Sequence, residues 1–495
     1  MTDTPMSALS RDSGEPLADQ IVRLLAARID DKRLRAGARL PSIRRFAASH
    51  GVSPFTVVAS YDRLVAQGYL ESRRGAGFFV RERAPLDACV HPARAADAGL
   101  AQRPLDVVWL VRHMFRQSGK PSSAAGVLPA AWLDGEGVAA ALRALSRQHS
   151  SLLMNYGVPH GHPPLRQQLQ HKLAELEIAA APDQFVTTIG VTQALDLIAR
   201  EFCRPGDTVF VDDPAWFLMF GAFAAMGLKV VGIRRLADGP DLEQLEALAA
   251  QHRPRLYIIN SVLHNPSSTS LSAAKAFQVL RSAERHGFIV VEDDIYCDLH
   301  PGGAQAPTRL AALDQLRRAI YLSGFSKSLA ANLRVGFIAT SADIAQRLAD
   351  RKMLATLSSS DLGERVVYKI LSEGLYRKHL DRIRARLDAV RPRVLRRIEA
   401  LGLRLEPAPT AGMFAWVDTG RDTGVLAARA MEEGLLLAPG CLFSPDQLPS
   451  TRMRLNVAAL EDQAMWRFLE RELARGVQPE PESKAGQAPG LRAVR

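Results

Sequence analysis

Cysteine is scarce in this chain: four in 495 residues, Cys89, Cys203, Cys297 and Cys441, at no paired spacing. That leaves no case for a disulfide framework or a zinc site, so no metal is expected, and the expected compartment is a reducing cytoplasm. Long hydrophobic runs are missing too. The opening Met1 to Glu15 is polar, without the apolar stretch of a signal peptide, and apolar segments are broken by charge within about 15 residues, so no membrane span is expected. Acidic residues are in deficit, 52 against 63 Lys and Arg, for a net charge of +11. That balance favours an anionic partner, and a phosphate-rich polymer is the economical choice. No internal repeat is visible. The length allows two or three domains, and 47% hydrophobic residues support a large core.

What is present begins with one lysine. In Tyr321-Leu322-Ser323-Gly324-Phe325-Ser326-Lys327 an apolar run ends in small and hydroxylated residues, the pattern of a buried strand that delivers a lysine to the rim of an α/β sheet. A lysine held there can shed its proton and form an imine with an aldehyde. Arg334 follows seven residues later, and a guanidinium is the natural fork for a phosphate dianion. Upstream, Ile289-Val290-Val291-Glu292-Asp293-Asp294-Ile295-Tyr296 is a β-branched strand that runs into carboxylates and a tyrosine. Pyridoxal phosphate (PLP) needs a carboxylate on its pyridine nitrogen and hydroxyl or amide donors on its phenolic oxygen. Asp293, Tyr296 and Asn265 supply those groups. Singly, a lysine after a strand is usually a solvated charge, and an Asp and Tyr at this spacing are common by chance. Their order along some 300 residues is what argues for one site.

These residues resemble the fold-type I aminotransferases over roughly residues 105–475. The likeness runs through Asn155-Tyr156-Gly157, Gly161 and Leu165-Arg166; Gly190-Val191-Thr192-Gln193-Ala194-Leu195; Asp213-Pro214-Ala215-Trp216; Asn265-Pro266; Asp293 and Tyr296; Ser326-Lys327 with Arg334; Gly412-Met413-Phe414; and Arg454-Leu455-Asn456. The resemblance implies that Lys327 is the Schiff-base lysine and that Trp216 stacks on the pyridine ring. It also implies that Thr192 and the amides around Val191 open a helix whose N-terminus meets the phosphate. Tyr156 would cross from the neighbouring subunit, and Arg454 would hold a substrate or effector carboxylate, so a homodimer is implied. Two departures each withhold a phosphate donor: Gly324 stands where a hydroxyl residue is common, and Val191 where serine or alanine is usual.

The N-terminal part carries a different pattern. Pro16 to Asp31 has a helical stripe at Leu17, Ile21, Leu24, Leu25 and Ile29. Ser42 caps a second helix to about His50, Gly51 breaks it, and Ser53 caps a third, Pro54 to about Gln67, with Val57, Val58, Tyr61, Leu64 and Val65 as its inner face. Tyr69 to Val80 reads as two short strands around a basic glycine tip, a wing. The segment resembles the GntR-type winged helix-turn-helix, above all in Leu40-Pro41-Ser42-Ile43-Arg44 and Gly68-Tyr69-Leu70. That likeness implies DNA contacts from Ser42, Arg44, Ser53, Thr56, Arg73, Arg74 and Gly75. One departure, Pro54-Phe55 in place of the common Arg-Thr, alters base readout at that step.

A GntR-type head on an aminotransferase-like body resembles the MocR group of bacterial regulators. The expected class is α/β: a winged helix-turn-helix over 14–82, a tether over 83–104, a fold-type I body over 105–475 with a mostly parallel sheet and a small C-terminal α+β domain, and a disordered tail over 476–495. The resemblance implies a head-to-tail dimer that binds operator DNA and senses PLP, an amine or an amino acid at the Lys327 site. The alternative is a working PLP-dependent aminotransferase that carries a DNA-binding head.

Overall fold

A computed structural model of the protein describes residues 9–11, 13–82, 112, 122–147, 154–301, 307–405, 407–459 and 462–475. The expected tether and tail, and Cys89, lie outside the described residues. The chain divides into two compact units, Met1–Arg103 and Pro104–Arg495.

In the first unit, α1 (Leu17–Asp30), α2 (Ile43–His50) and α3 (Pro54–Ala66) precede a two-stranded antiparallel wing of β1 (Leu70–Arg73) and β2 (Gly77–Val80). The caps follow from local chemistry. The Ser42 hydroxyl accepts from the Arg45 amide at 3.3 Å, and that of Ser53 accepts from the Thr56 amide at 3.1 Å, each satisfying a donor that the helix leaves open. Ile21, Phe46, Val57, Tyr61, Leu64, Leu70 and Val80 are buried together. Val58 and Val65, expected on the inner face, are only half-buried, because the helical period puts Val57, Tyr61 and Leu64 on the stripe that meets α1 and α2.

The second unit is built on an eight-stranded sheet ordered β3-β10-β9-β8-β7-β4-β5-β6. Its strands are β3 (Phe185–Ile189), β4 (Thr208–Asp213), β5 (Lys229–Leu236), β6 (Gly239–Pro240), β7 (Leu256–Ile259), β8 (Ile289–Asp293), β9 (Ala319–Gly324) and β10 (Val335–Ala339). Strands β9, β8, β7, β4 and β5 run parallel. β10 lies antiparallel between β3 and β9, and β6 is antiparallel to β5. The central strands are apolar along most of their length and buried on both faces, as parallel strands covered by helices must be. Their carboxyl ends turn polar, at Asp212 and Asp213, Asn260, Glu292 to Asp294, and Ser326 and Lys327. That edge is where an open α/β sheet binds ligands.

Of the helices, α4 (Gly190–Phe202) leaves the end of β3, and the 26-residue α5 (Leu375–Ala400) leads to a second sheet. That sheet is antiparallel, ordered β11-β12-β14-β13, with β11 (Arg404–Leu405), β12 (Phe414–Asp418), β13 (Ala438–Pro439) and β14 (Arg452–Asn456). No helix among the described residues is long and apolar enough to cross a membrane.

Candidate functional site

The polar strand ends converge on one partly open cavity, concave and lined by both apolar and polar side chains as small-molecule sites are. Its walls include Lys327 and Ser326 from the loop after β9, Asp293 and Tyr296 from the end of β8, and Asn265 from the loop after β7. Val191 and Thr192 of the first turn of α4, Trp216 after β4, and Arg334 before β10 complete it. Tyr156 is apart: it is 83% exposed and does not line the cavity of its own chain.

Electrostatics follow from burial. Enclosure and the neighbouring Arg454 guanidinium bring the Lys327 ammonium down to about 8, against the opposing pull of Asp293. Enclosure raises the Asp293 carboxyl to about 7, although the Ile295 amide donates to it at 3.2 Å. Tyr296, fully enclosed, has its phenol pushed well up by burial. Arg454 is buried, and burial lowers it to about 10. Its Nη1 donates to Asn265 Oδ1 at 2.8 Å and its Nη2 to the Ala124 carbonyl at 2.6 Å. The Asn265 amide in turn donates to the Tyr296 hydroxyl at 3.4 Å. Arg454 also stacks over Phe414, 4.5 Å from the ring centroid, while its buried Nε has no hydrogen-bond partner. Arg454 does not itself line the cavity; it meets the wall through Asn265.

The N-terminus of α4 forms a cradle. Gly190 has φ +71°, and a Cβ there would lie 2.8 Å from Arg334 Nη2. Without it the guanidinium packs over the turn and donates to the Ile189 carbonyl at 3.0 Å. The first amides of a 13-residue helix and a fixed guanidinium thus face the same space. Gly324 also has a packing reason: a Cβ there would stand 2.9 Å from Gly336 Cα and 3.0 Å from the Val335 carbonyl, so the close β9–β10 pairing excludes any side chain that would bring a hydroxyl.

Sequence reasoning missed Asn260. Its amide nitrogen donates to the Asp293 carbonyl, its Oδ1 accepts from the Asn265 backbone amide at 2.8 Å, and its own backbone amide meets Asp212 at 3.3 Å. It thereby ties together the segments that carry Asp293 and Asn265. The available signal was its place directly after the apolar β7. Asp212, buried with Arg235 and Tyr257 at 2.9 and 2.8 Å, was missed because a carboxylate inside an apolar strand looks like the strand's end.

In the head, Arg44, Arg74 and Gly75 are exposed, with Gly75 at φ +75° in the wing turn. Arg73 is exposed but engaged: its Nε donates to Glu71 at 2.8 Å and its guanidinium lies 4.5 Å from the Phe79 ring centroid. The Ser53 hydroxyl also meets the Thr56 hydroxyl at 2.8 Å.

Comparison with known proteins follows the same division. Residues 128–471 match the family described as aminotransferase class I and II, and residues 17–80 match the bacterial regulatory proteins of the gntR family. The uncharacterized HTH-type transcriptional regulator YdcR of Escherichia coli is 27% identical over 472 residues, 92% of this chain and 96% of YdcR. The probable rhizopine catabolism regulatory protein MocR of Rhizobium meliloti is 30% identical over 79% of this chain and 78% of MocR. Among solved structures, the α-aminoadipate aminotransferase LysN of Thermus thermophilus, complexed with N-(5'-phosphopyridoxyl)-L-leucine, superposes with a TM-score of 0.67 at 26% identity. The match covers 78% of this chain and 98% of LysN.

Proposed function

The chain belongs to the aminotransferase class I and II family and carries a gntR-family segment at its head, and from that premise we propose that it is a transcriptional regulator whose PLP-binding body senses a small amine, an amino acid or PLP itself. One observation carries this reading: the match to a regulator runs through head and body, 92% of this chain, whereas the match to a transaminase uses 98% of that enzyme and 78% of this chain. A dedicated transaminase has no use for a winged helix-turn-helix.

The donor set fits PLP. The amides at Val191 and Thr192, with Arg334 and Ser326, would hold its phosphate in the cradle at Gly190. Trp216 would cover the ring, Asp293 would face the pyridine nitrogen, and Asn265 and Tyr296 would face the phenolic oxygen. When bound, the cofactor supplies an electrophilic carbon that captures primary amines. Lys327, brought to about 8, loses its Nζ proton near physiological pH and so becomes nucleophilic. Arg454, with Nε free, orients a ligand carboxylate against Asn265. Ligand arrival changes the partners of Lys327 and Arg454, and Arg454 sits on β14 of the second sheet. A ligand that binds two arrangements of those contacts differently would bias a two-state closure, which would change the spacing of the DNA heads through the tether.

Dimerisation rests on exposed apolar side chains. Met154 is 79%, Tyr156 83% and Leu354 87% exposed, and Gly157, next to Tyr156, lies against Ser359 and Asp361, a few residues along the chain from Leu354. A second copy in head-to-tail arrangement would cover these side chains and insert Tyr156 into the neighbouring cavity. A second reading, an active aminotransferase, is favoured by Lys327 and Asp293 lining one cavity, with Arg454 bonded to Asn265 of its wall. The deciding experiment is an absorbance titration of the purified protein with amines and amino acids, run beside operator binding. A regulator shows ligand-dependent spectra and ligand-dependent DNA affinity. Sustained turnover of an amino donor with a 2-oxoacid, without DNA binding, would reject that reading.

A further inference from the structure

The face of α3 available to a DNA groove holds few groups that can hydrogen-bond a base edge. Val57, Ser60, Tyr61 and Leu64 of the helix are buried in the head. The Ser60 hydroxyl donates to the Thr56 carbonyl at 2.7 Å, and Arg63 is ion-paired with Asp19. The helix contains no Lys, Asn or Gln. Bidentate recognition of guanine by Arg or Lys, and of adenine by Asn or Gln, is therefore not on offer from its leading turn. Thr56 remains, with its hydroxyl against Ser53 at 2.8 Å, and Asp62 lies two turns further on.

What the leading turn does present is Phe55, 83% exposed. Its position is fixed: Ser53 caps the helix, Pro54 sets the first residue, and Phe55 follows. In a helix-turn-helix the N-terminal residues of the recognition helix meet the base edges. The exposed Arg44 and Arg74 suit phosphates, which position a protein without reading sequence.

Building on the regulator reading, we propose that Phe55 is a specificity-determining residue that recognises thymine by packing on its C5-methyl group in the major groove. That methyl is the apolar mark by which the major groove distinguishes thymine, and aromatic contact with it is a known mode of readout. Removing water from the Phe55 ring and the methyl together supplies the discrimination. The preferred half-site then carries one thymine beneath the start of α3.

The test uses the full-length protein. Its tightest duplex is selected from a random library at fixed salt, and each thymine of that duplex is replaced in turn by uracil, which removes the methyl and keeps every hydrogen-bonding edge. Loss of one methyl contact is expected to weaken binding about fourfold at one thymine per half-site. In Phe55→Ala the uracil scan becomes flat, while binding to a random duplex and thermal unfolding stay at wild-type values. Phe55→Leu keeps part of the preference. A flat scan with the wild-type protein would overturn the proposal, as would a uracil effect that persists in Phe55→Ala. A flat wild-type scan with affinity lost in Phe55→Ala and a bent duplex would assign Phe55 as a wedge between base steps instead. Binding with a flat scan leaves the regulator reading standing, whereas failure to select any duplex brings down both.

Discussion

Replacing Arg334 by alanine separates cofactor affinity from folding. Arg334 adopts φ +54°, and alanine carries the same Cβ penalty there as the unbranched arginine side chain, so backbone strain is little changed. The side chain is exposed and makes one hydrogen bond, to the Ile189 carbonyl at 3.0 Å, so its removal should change folding stability by no more than about 1 kcal/mol. Its loss at the phosphate is larger. Gly324 leaves no room for a hydroxyl and Val191 brings none, so the α4 amides, Thr192 and Ser326 are what remain. Loss of a charge-assisted partner costs about 1.5–3 kcal/mol, or roughly a 10- to 150-fold rise in the PLP dissociation constant. The assay is an absorbance titration of the stripped protein with PLP, paired with thermal unfolding. Saturating ligand at about 100 times Kd adds roughly 2.7 kcal/mol of stability, so at a fixed PLP concentration the variant should lose about half to nine-tenths of that gain while its ligand-free transition stays put. Equal dissociation constants for wild type and Arg334→Ala would refute the phosphate assignment. A collapsed ligand-free transition would show that the residue acts on the fold.

The downward displacement of Lys327 from 10.5 to about 8 means that its neutral form predominates above about pH 8, and the rate of PLP capture should rise through that pH. Arg454→Gln removes a neighbouring positive charge, so the inflection should move to higher pH; an inflection that stays in place or moves down would contradict the electrostatic account. In the head, Arg44→Ala and Arg74→Ala should each flatten the salt dependence of DNA binding by about one unit of slope. Arg73→Ala should do less, because Glu71 and Phe79 already engage that guanidinium. A slope change at Arg73 as large as at Arg44 would show that the Glu71 pair opens on DNA.

Much of the site was legible because its chemistry is written at strand ends. The runs before Asp293 and Lys327 are short, apolar and terminated by polar residues, the first of them rich in β-branched side chains, and that is the pattern of strands in a sheet buried on both faces. The caps at Ser42 and Ser53 were legible for a similar reason: a hydroxyl, a helical stripe and a glycine stop are local signals. Long-range pairing was not. Nothing near Val335 announces that β10 inserts antiparallel between β3 and β9, and the need for glycine at 324 exists only once that register brings Gly336 to its face. Asn260 and the Arg454–Asn265 bond escaped notice because each depends on partners far apart in the chain. Arg73 was expected at DNA, and its engagement with Phe79 depends on the cross-strand pairing of the wing, which sets Glu71 opposite Phe79.

The central question is whether the Lys327 site controls DNA binding. The direct measurement is the affinity of the full-length protein for its selected operator duplex, by fluorescence anisotropy at fixed salt, with and without PLP and an amine or amino acid that alters its spectrum, for wild type and Lys327→Ala. The account predicts that ligand shifts the wild-type affinity by roughly the fivefold to 150-fold typical of allosteric coupling, and that Lys327→Ala binds DNA like ligand-free wild type and no longer responds. An affinity indifferent to ligand in the wild type, or an equal response in Lys327→Ala, would contradict it.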